Sequence, residues 1–256
     1  MDAKKLYKEH KMNNSFYIVA REAGAQNPSL PTWANNKENE INLDENLKPN
    51  IKRIDLDDVP GAFQLLNVFT AQECENFIKQ TEELGYLEDA AVSLPRSVRH
   101  NDNITWVVDD LTHDIIWNRC KDFMSDNKEI FYGKKTLGIN KRFRFYKYSK
   151  GDFFKLHTDG SWPGSRVVNK ELITDFYKDR YSQMTFLILL SEDFQGGETQ
   201  FIVNKKAEKE LVNIRTPKGG VLCFPHGLHP LHCLHSSNTI TSGIKYIIRT
   251  DVLFEV

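Results

Sequence analysis

No apolar run in the chain approaches the roughly 18 residues that a membrane-spanning helix requires, and the longest, Met184 to Leu190, is far shorter. The opening residues, Met1 to His10, lack the apolar core of a secretory signal. Both absences predict a soluble, cytoplasmic protein with no membrane partner. Charge of one sign is missing too: 34 Lys and Arg stand against 35 Asp and Glu. That balance excludes the basic footprint of a nucleic-acid-binding protein. Cysteine is scarce. Cys74, Cys120, Cys223 and Cys233 are scattered and form no Cys-x-x-Cys pair, which excludes a disulfide framework or a zinc cage and predicts reduced thiols. Internal repeats are absent.

What remains is organised along the chain. Residues 1–50 are rich in Asn, Lys and Glu with only short apolar pieces, such as Phe16 to Val19. They can bury little, so a flexible or loosely docked extension is expected, followed by one domain over residues 51–256. A strand is predicted over Ala62 to Val68. Thr70 then caps a helix with Cys74, Phe77, Ile78, Thr81 and Leu84 at helical spacing, ended by Gly85. A second helix is expected over Asp110 to Met124, and the polar stretch Pro95 to Asn103 reads as a loop. From Lys141 the period changes. Arg142 to Tyr148 alternates charged and aromatic residues, as a half-buried strand does, whereas Met184 to Leu190 reads as a central strand covered on both faces. Turns at Gly196-Gly197 and Pro217 to Gly220 separate further short strands. Helices confined to the N-terminal part and strands thereafter predict an α+β protein built on a β-sandwich or barrel.

The chemistry concentrates in His157-Thr158-Asp159 and in a histidine-rich stretch that ends 76 residues beyond Asp159. Two imidazoles and one carboxylate on one face of iron(II) leave open positions for a co-substrate and O₂. Two residues apart on a strand, His157 and Asp159 face the same side. The second imidazole has several candidates, because His226, His229, His232 and His235 recur every three residues. Pro225, Pro230 and Gly227 argue against a helix there. Lys245 and Arg249, four apart on a following strand, also share a face.

Tyr148-x-x-Gly151, His157-x-Asp159, Gly196-Gly197-Glu198-Thr199 and His235 through Gly243-x-Lys245-Tyr246-x-x-Arg249-Thr250-Asp251-Val252 together resemble the iron(II)- and 2-oxoglutarate-dependent dioxygenases, in their prolyl 4-hydroxylase-like branch. The resemblance covers roughly residues 60 to 255. It implies a double-stranded β-helix, a distorted jelly roll with N-terminal supporting helices, and an oxidoreductase using Fe(II), 2-oxoglutarate and O₂, with ascorbate as reductant. It selects His235, ten residues before Lys245, as the second histidine ligand; the other three histidines are then expected in loops or at the rim. It assigns Lys245 to the distal carboxylate of 2-oxoglutarate, with Arg249 as support or substrate contact, Tyr148 as a hydroxyl near the co-substrate and Thr185 as a second. Where relatives carry a tyrosine in the central strand this chain has Leu189, and Ser236-Ser237 stand where Glu-Gly is common. An intact carboxylate at Asp159 favours hydroxylation over halogenation.

For the primary substrate, Arg99, Asn101 and Asn103 in the polar loop are the expected contacts, with Trp106 as an apolar wall and Gly160 to Gly164 at the rim. The leading expectation is hydroxylation of a prolyl residue in a protein or peptide. The same chemistry on a free amino acid or small metabolite is the alternative, and a non-catalytic metal-binding barrel or sensor is the third.

Overall fold

The computed structural model describes residues 15–91, 94–124, 131, 133–205 and 208–256. Its strands in chain order are β1 (Phe16–Glu22), β2 (Leu30–Asn35), β3 (Lys52–Asp55), β4 (Phe63–Leu66), β5 (Arg99–His100), β6 (Asp102–Val107), β7 (Thr136–Ile139), β8 (Arg142–Tyr148), β9 (Phe153–His157), β10 (Arg166–Val168), β11 (Glu171–Ile173), β12 (Arg180–Leu189), β13 (Phe194–Gly196), β14 (Thr199–Lys205), β15 (Glu208–Ile214), β16 (Val221–Pro225), β17 (Leu234–Ser237), β18 (Ile240–Gly243) and β19 (Lys245–Glu255). The helices α1 (Ala71–Leu84) and α2 (Asp110–Cys120) lie among them.

A large sheet runs β1-β2-β6-β8-β19-β12-β16-β4-β3, with β7 also on β19, and a smaller one runs β15-β14-β17-β9-β5. All pairs are antiparallel except β2 with β6. The period of two in the sequence sorts side chains between two cores. On β8, Phe143 and Phe145 join the cluster beneath the helices, where Phe145 meets Phe77 of α1. On its other face Tyr146 and Tyr148 join a second cluster between the two sheets. Strand β12 divides likewise: Met184, Phe186 and Ile188 lie under the helices, Leu187 and Leu189 between the sheets. The continuous apolar run therefore is a strand covered on both faces.

Helix α1 begins where expected. Thr70 accepts from the Glu73 amide, and the Glu73 side chain accepts from the Thr70 amide, closing a capping box. Gly85 ends it at a positive φ of 87°. The second helix stops at Cys120, and Lys121–Phe123 continue as a 3₁₀ turn. All four cysteines are buried and free. No helix among the described residues is long and apolar enough to cross a membrane.

Two expectations need correction. Residues 15–50 are not a loosely docked extension. Strands β1 and β2 form one edge of the large sheet, and Phe16, Trp33, Ile41 and Leu43 lie in the helix-side core. The scarcity of apolar residues in this segment hid the docking, because a few well-spaced apolar side chains suffice for an edge strand and a strap. Residues 1–14 lie outside the described residues. The expected loop at 95–103 is half strand: β5 pairs with β9, and β6, beginning at Asp102, pairs with β8.

Candidate metal centre

Strands β9 and β17 are paired, and their register sets His157 directly opposite His235. Asp159 follows two residues after the end of β9. One donor atom from each of the three side chains lies within 4.8 Å of the others. The Nε2 atoms of His157 and His235 each sit 3.7 Å from an Asp159 oxygen. This set is the sole such group of three or more among the described residues.

Hydrogen bonds select the tautomers. His157 Nδ1 donates to the Lys155 carbonyl at 2.7 Å and His235 Nδ1 to the Cys233 carbonyl at 3.2 Å. In neutral rings both Nε2 lone pairs are then left facing the carboxylate, as metal ligation requires. Burial, reinforced by His235, pushes His157 down to about 4, and burial also lowers His235. Burial alone would raise Asp159, but Arg249 and then the two imidazoles outweigh it and hold its carboxyl well below the usual range. Two neutral imidazoles and one ionised carboxylate fit a divalent iron ion with open coordination positions.

Behind Asp159 the donors can be counted. Its Oδ2 accepts from Thr185 Oγ1 at 2.7 Å and from Arg249 Nε at 3.3 Å. Thr185 has then spent its proton, so its oxygen accepts from His226 Nδ1 at 2.8 Å. Neutral His226, its pKa lowered by burial, accepts at Nε2 from Ser182 Oγ at 3.0 Å. Ser182 accepts in turn from the Trp162 amide at 2.8 Å. His226 and His229 lie in the loop between β16 and β17, but they are buried there rather than set at the rim. It is His235, not His232, that the fold brings to His157 and Asp159; His232 instead hydrogen-bonds the His229 carbonyl.

The triad opens into a cavity of about 250 Å³ between the sheets, lined by Tyr148, Trp162, Leu187, Lys245, Arg249 and others. Lys245 is 1% exposed. Its Nζ donates to the Gly197 carbonyl at 2.6 Å and to Ser237 Oγ at 3.1 Å, above the Tyr148 ring at 5.3 Å. It makes no ion pair among the described residues. Burial, with Arg215 nearby, brings its pKa down to about 7. The Gly-Gly turn positions that carbonyl: Gly197 has φ 69°, and a Cβ there would come within 2.3 Å of Ile240. Arg249 is committed elsewhere, to Asp159 and to Asp251 at 2.9 Å.

Thr185 needs correction as a co-substrate hydroxyl. Its hydroxyl is engaged by Asp159 and His226, and in register it faces Asp251, six residues or roughly 20 Å of strand from Lys245. Of the expected substrate residues, Arg99 lines the cavity, over the Tyr146 and Phe154 rings. Asn101 and Asn103 are buried, with Asn103 Nδ2 donating to the Asn101 carbonyl, and neither lines the cavity. Trp106 is no wall. It points the other way into the helix-side core against Phe16 and Phe145, its Nε1 held by Asn35. Sequence reasoning named His226 without its link to Asp159 through Thr185, and passed over Arg144, which lines the cavity; the alternation along β8, which puts Arg144 on the same face as Tyr148, was the available signal for the latter.

No protein-family profile and no curated protein matches the chain. Solved structures do. A viral collagen prolyl hydroxylase from Paramecium bursaria Chlorella virus-1, in its 2OG complex, is similar at TM-score 0.50 and 15% identity, over 79% of this chain and 99% of that one. A Trichoplax adhaerens prolyl hydroxylase, in complex with a hypoxia inducible factor peptide fragment, is similar at TM-score 0.54 and 14% identity, over 76% and 84%. The likeness establishes the fold, a jelly-roll-like β-sandwich with two helices.

Proposed function

We propose that this protein is an iron(II)- and 2-oxoglutarate-dependent dioxygenase that hydroxylates an unactivated C–H bond, with a prolyl residue of a protein or peptide as substrate. The observation that carries the reading is one cavity holding both the His157/Asp159/His235 donor set and a buried Lys245 that has no carboxylate partner among the described residues. The fold shared with two prolyl hydroxylases supports it, and the two facing sheets are read as a double-stranded β-helix.

When bound, iron and 2-oxoglutarate supply the oxidising chemistry, in which 2-oxoglutarate gives succinate and CO₂ while one oxygen atom enters the substrate. His157 and His235 present their Nε2 lone pairs to the metal, and Asp159 supplies the charge. Thr185 and Arg249 orient that carboxylate. Lys245 neutralises the distal carboxylate of the co-substrate beside Tyr148, whose hydroxyl burial keeps protonated. Trp162, Phe154 and Leu187 border the reaction space and exclude water.

The test incubates the protein with iron(II), 2-oxoglutarate, ascorbate and a library of proline-containing peptides and metabolites. The expected result is succinate formed together with a product that has gained one oxygen atom, derived from isotopically labelled O₂. Failure to bind iron(II) and 2-oxoglutarate would overturn the reading.

A further inference from the structure

Resting on that function, we propose that Arg144 is the recognition site for a carboxylate of the primary substrate, at the opposite end of the cavity from Lys245. Arg144 is 5% exposed and lines the cavity. Neither of its terminal nitrogens has a hydrogen-bond partner among the described residues. Its nearest carboxylate, Asp251, is 3.6 Å away and sits closer to Arg249, at 2.9 Å. Asp251 Oδ2 faces Arg144 and Oδ1 faces Arg249, and neither oxygen is hydrogen-bonded among the described residues, so the contact to Arg144 is a loose ion pair that leaves its donors unfilled. By contrast, Arg142, two residues earlier, is paired with Glu22. A buried guanidinium with both forks open is costly to leave unmatched, and its planar donors suit a carboxylate.

Register separates this site from the co-substrate. Lys245 is paired across β8 with Tyr148, and Arg249 with Arg144. Four residues of strand, roughly 13 Å, divide the two pairs, and Arg249 touches the metal ligand Asp159. A dianion chelating the metal and reaching toward Lys245 extends away from Arg144. Two arginines directly opposite each other on neighbouring strands repel, and an anion placed at Arg144 relieves that. The charge of the cavity agrees: Arg99, Arg144, Lys245 and Arg249 line it against the single carboxylate of Asp159. Trp162 holds the guanidinium from one face, its ring 4.7 Å away, and leaves the edge free. The carboxylate belongs either to a free amino acid or to an acidic side chain beside the target residue in a peptide.

The experiment is calorimetry on the full chain with iron(II) and saturating 2-oxoglutarate under nitrogen. Each probe is an acid with its neutral partner: propionate and propionamide, L-proline and L-prolinamide, and capped Asp-Pro and Asn-Pro peptides. Wild type should bind at least one acid about tenfold more tightly than its partner. Arg144→Gln should reduce that ratio to about one, and Arg144→Lys should restore part of it. L-Proline responding alone among the larger pairs identifies a free amino acid, and the Asp-Pro peptide responding alone identifies an acidic peptide. Equal binding of acid and amide, including no binding of either at about 10 mM, overturns the proposal, as does discrimination that survives in Arg144→Gln. Repeating the titration without iron and 2-oxoglutarate separates the two readings. Discrimination there, in a protein that never turns over 2-oxoglutarate, would sink the dioxygenase and leave the carboxylate site; turnover without discrimination would do the reverse.

Discussion

Thr185 Oγ1 lies 2.7 Å from Asp159 Oδ2 and donates a hydrogen bond to it, because an ionised carboxylate can only accept. Thr185 thereby joins the triad to the buried His226, and the Asp159 carboxylate is held from behind rather than left to find its rotamer. Removing such a partner typically costs about 10–100-fold in metal affinity. Thr185→Val should therefore weaken iron(II) binding by about that factor, measured by competition with a chelator, while Thr185→Ser should stay close to wild type. Equal affinities for all three would show that Arg249 alone orients Asp159.

Lys245 and Arg249 share a strand face but have different partners, and their alanine variants should fail differently. Leaving a buried carboxylate without its cation costs about 3–5 kcal/mol. Lys245→Ala should then raise the 2-oxoglutarate requirement by on the order of a hundredfold or more and leave iron binding intact. Arg249→Ala should chiefly loosen the metal, since its Nε bonds Asp159. The assignment reverses if Arg249→Ala gives the larger co-substrate defect with normal iron affinity.

Burial brings Lys245 down to about 7 from its ordinary 10.5, which gives co-substrate binding a direction in pH. An anion beside Nζ favours the ammonium, so 2-oxoglutarate should bind with proton uptake above pH 7, and affinity should fall as pH rises. Calorimetry at about pH 8 in buffers of different ionisation enthalpy should show uptake approaching one proton, absent in Lys245→Met. In the ligand-free protein the sign is opposite. Between about pH 7 and 10.4 the unfolded lysine keeps a proton that the buried one sheds, so this group makes stability rise with pH.

The grouping of His157, Asp159 and His235 was legible because particular residue types stood at a spacing that strands can bring together, and His157 opposite His235 is that spacing realised. The division of roles between Lys245 and Arg249 was not. It depends on which acid folds back beside which cation: Asp251, two residues on, shares a face with Arg249, but Asp159 reaches Arg249 Nε from beyond the end of β9, which no spacing reveals. Thr185 misled for the same reason: the strand was right, but its hydroxyl is engaged by the Asp159 carboxylate. Trp106 misled by parity, since its neighbour in sequence faces the opposite side of β6. The N-terminal strands were hidden by composition, because residues 15–50 contribute few apolar side chains, and Phe16, Leu30, Trp33, Ile41 and Leu43 suffice to dock them.

That last point predicts a stability effect in a segment that composition marks as dispensable. Ile41 has no exposed surface and lies in the helix-side core with Leu43 and Trp33. Nearby, the Arg119 guanidinium bonds the Asp44 carbonyl and both oxygens of Glu73, tying the strap to α1 and α2. Glu22 on β1 likewise holds Arg142 on β8, two residues from Arg144. Truncating a buried isoleucine leaves a cavity as well as losing transfer free energy, so Ile41→Ala should cost about 2–5 kcal/mol. Urea denaturation should show it as a lower midpoint at an unchanged slope. Deleting residues 1–50 should be far worse, exposing the edge of β6 and leaving Arg142 and Arg119 short of partners, and should give insoluble protein. A soluble, cooperatively folding 51–256 fragment would show that β1, β2 and the strap are accessory to the domain rather than part of its core.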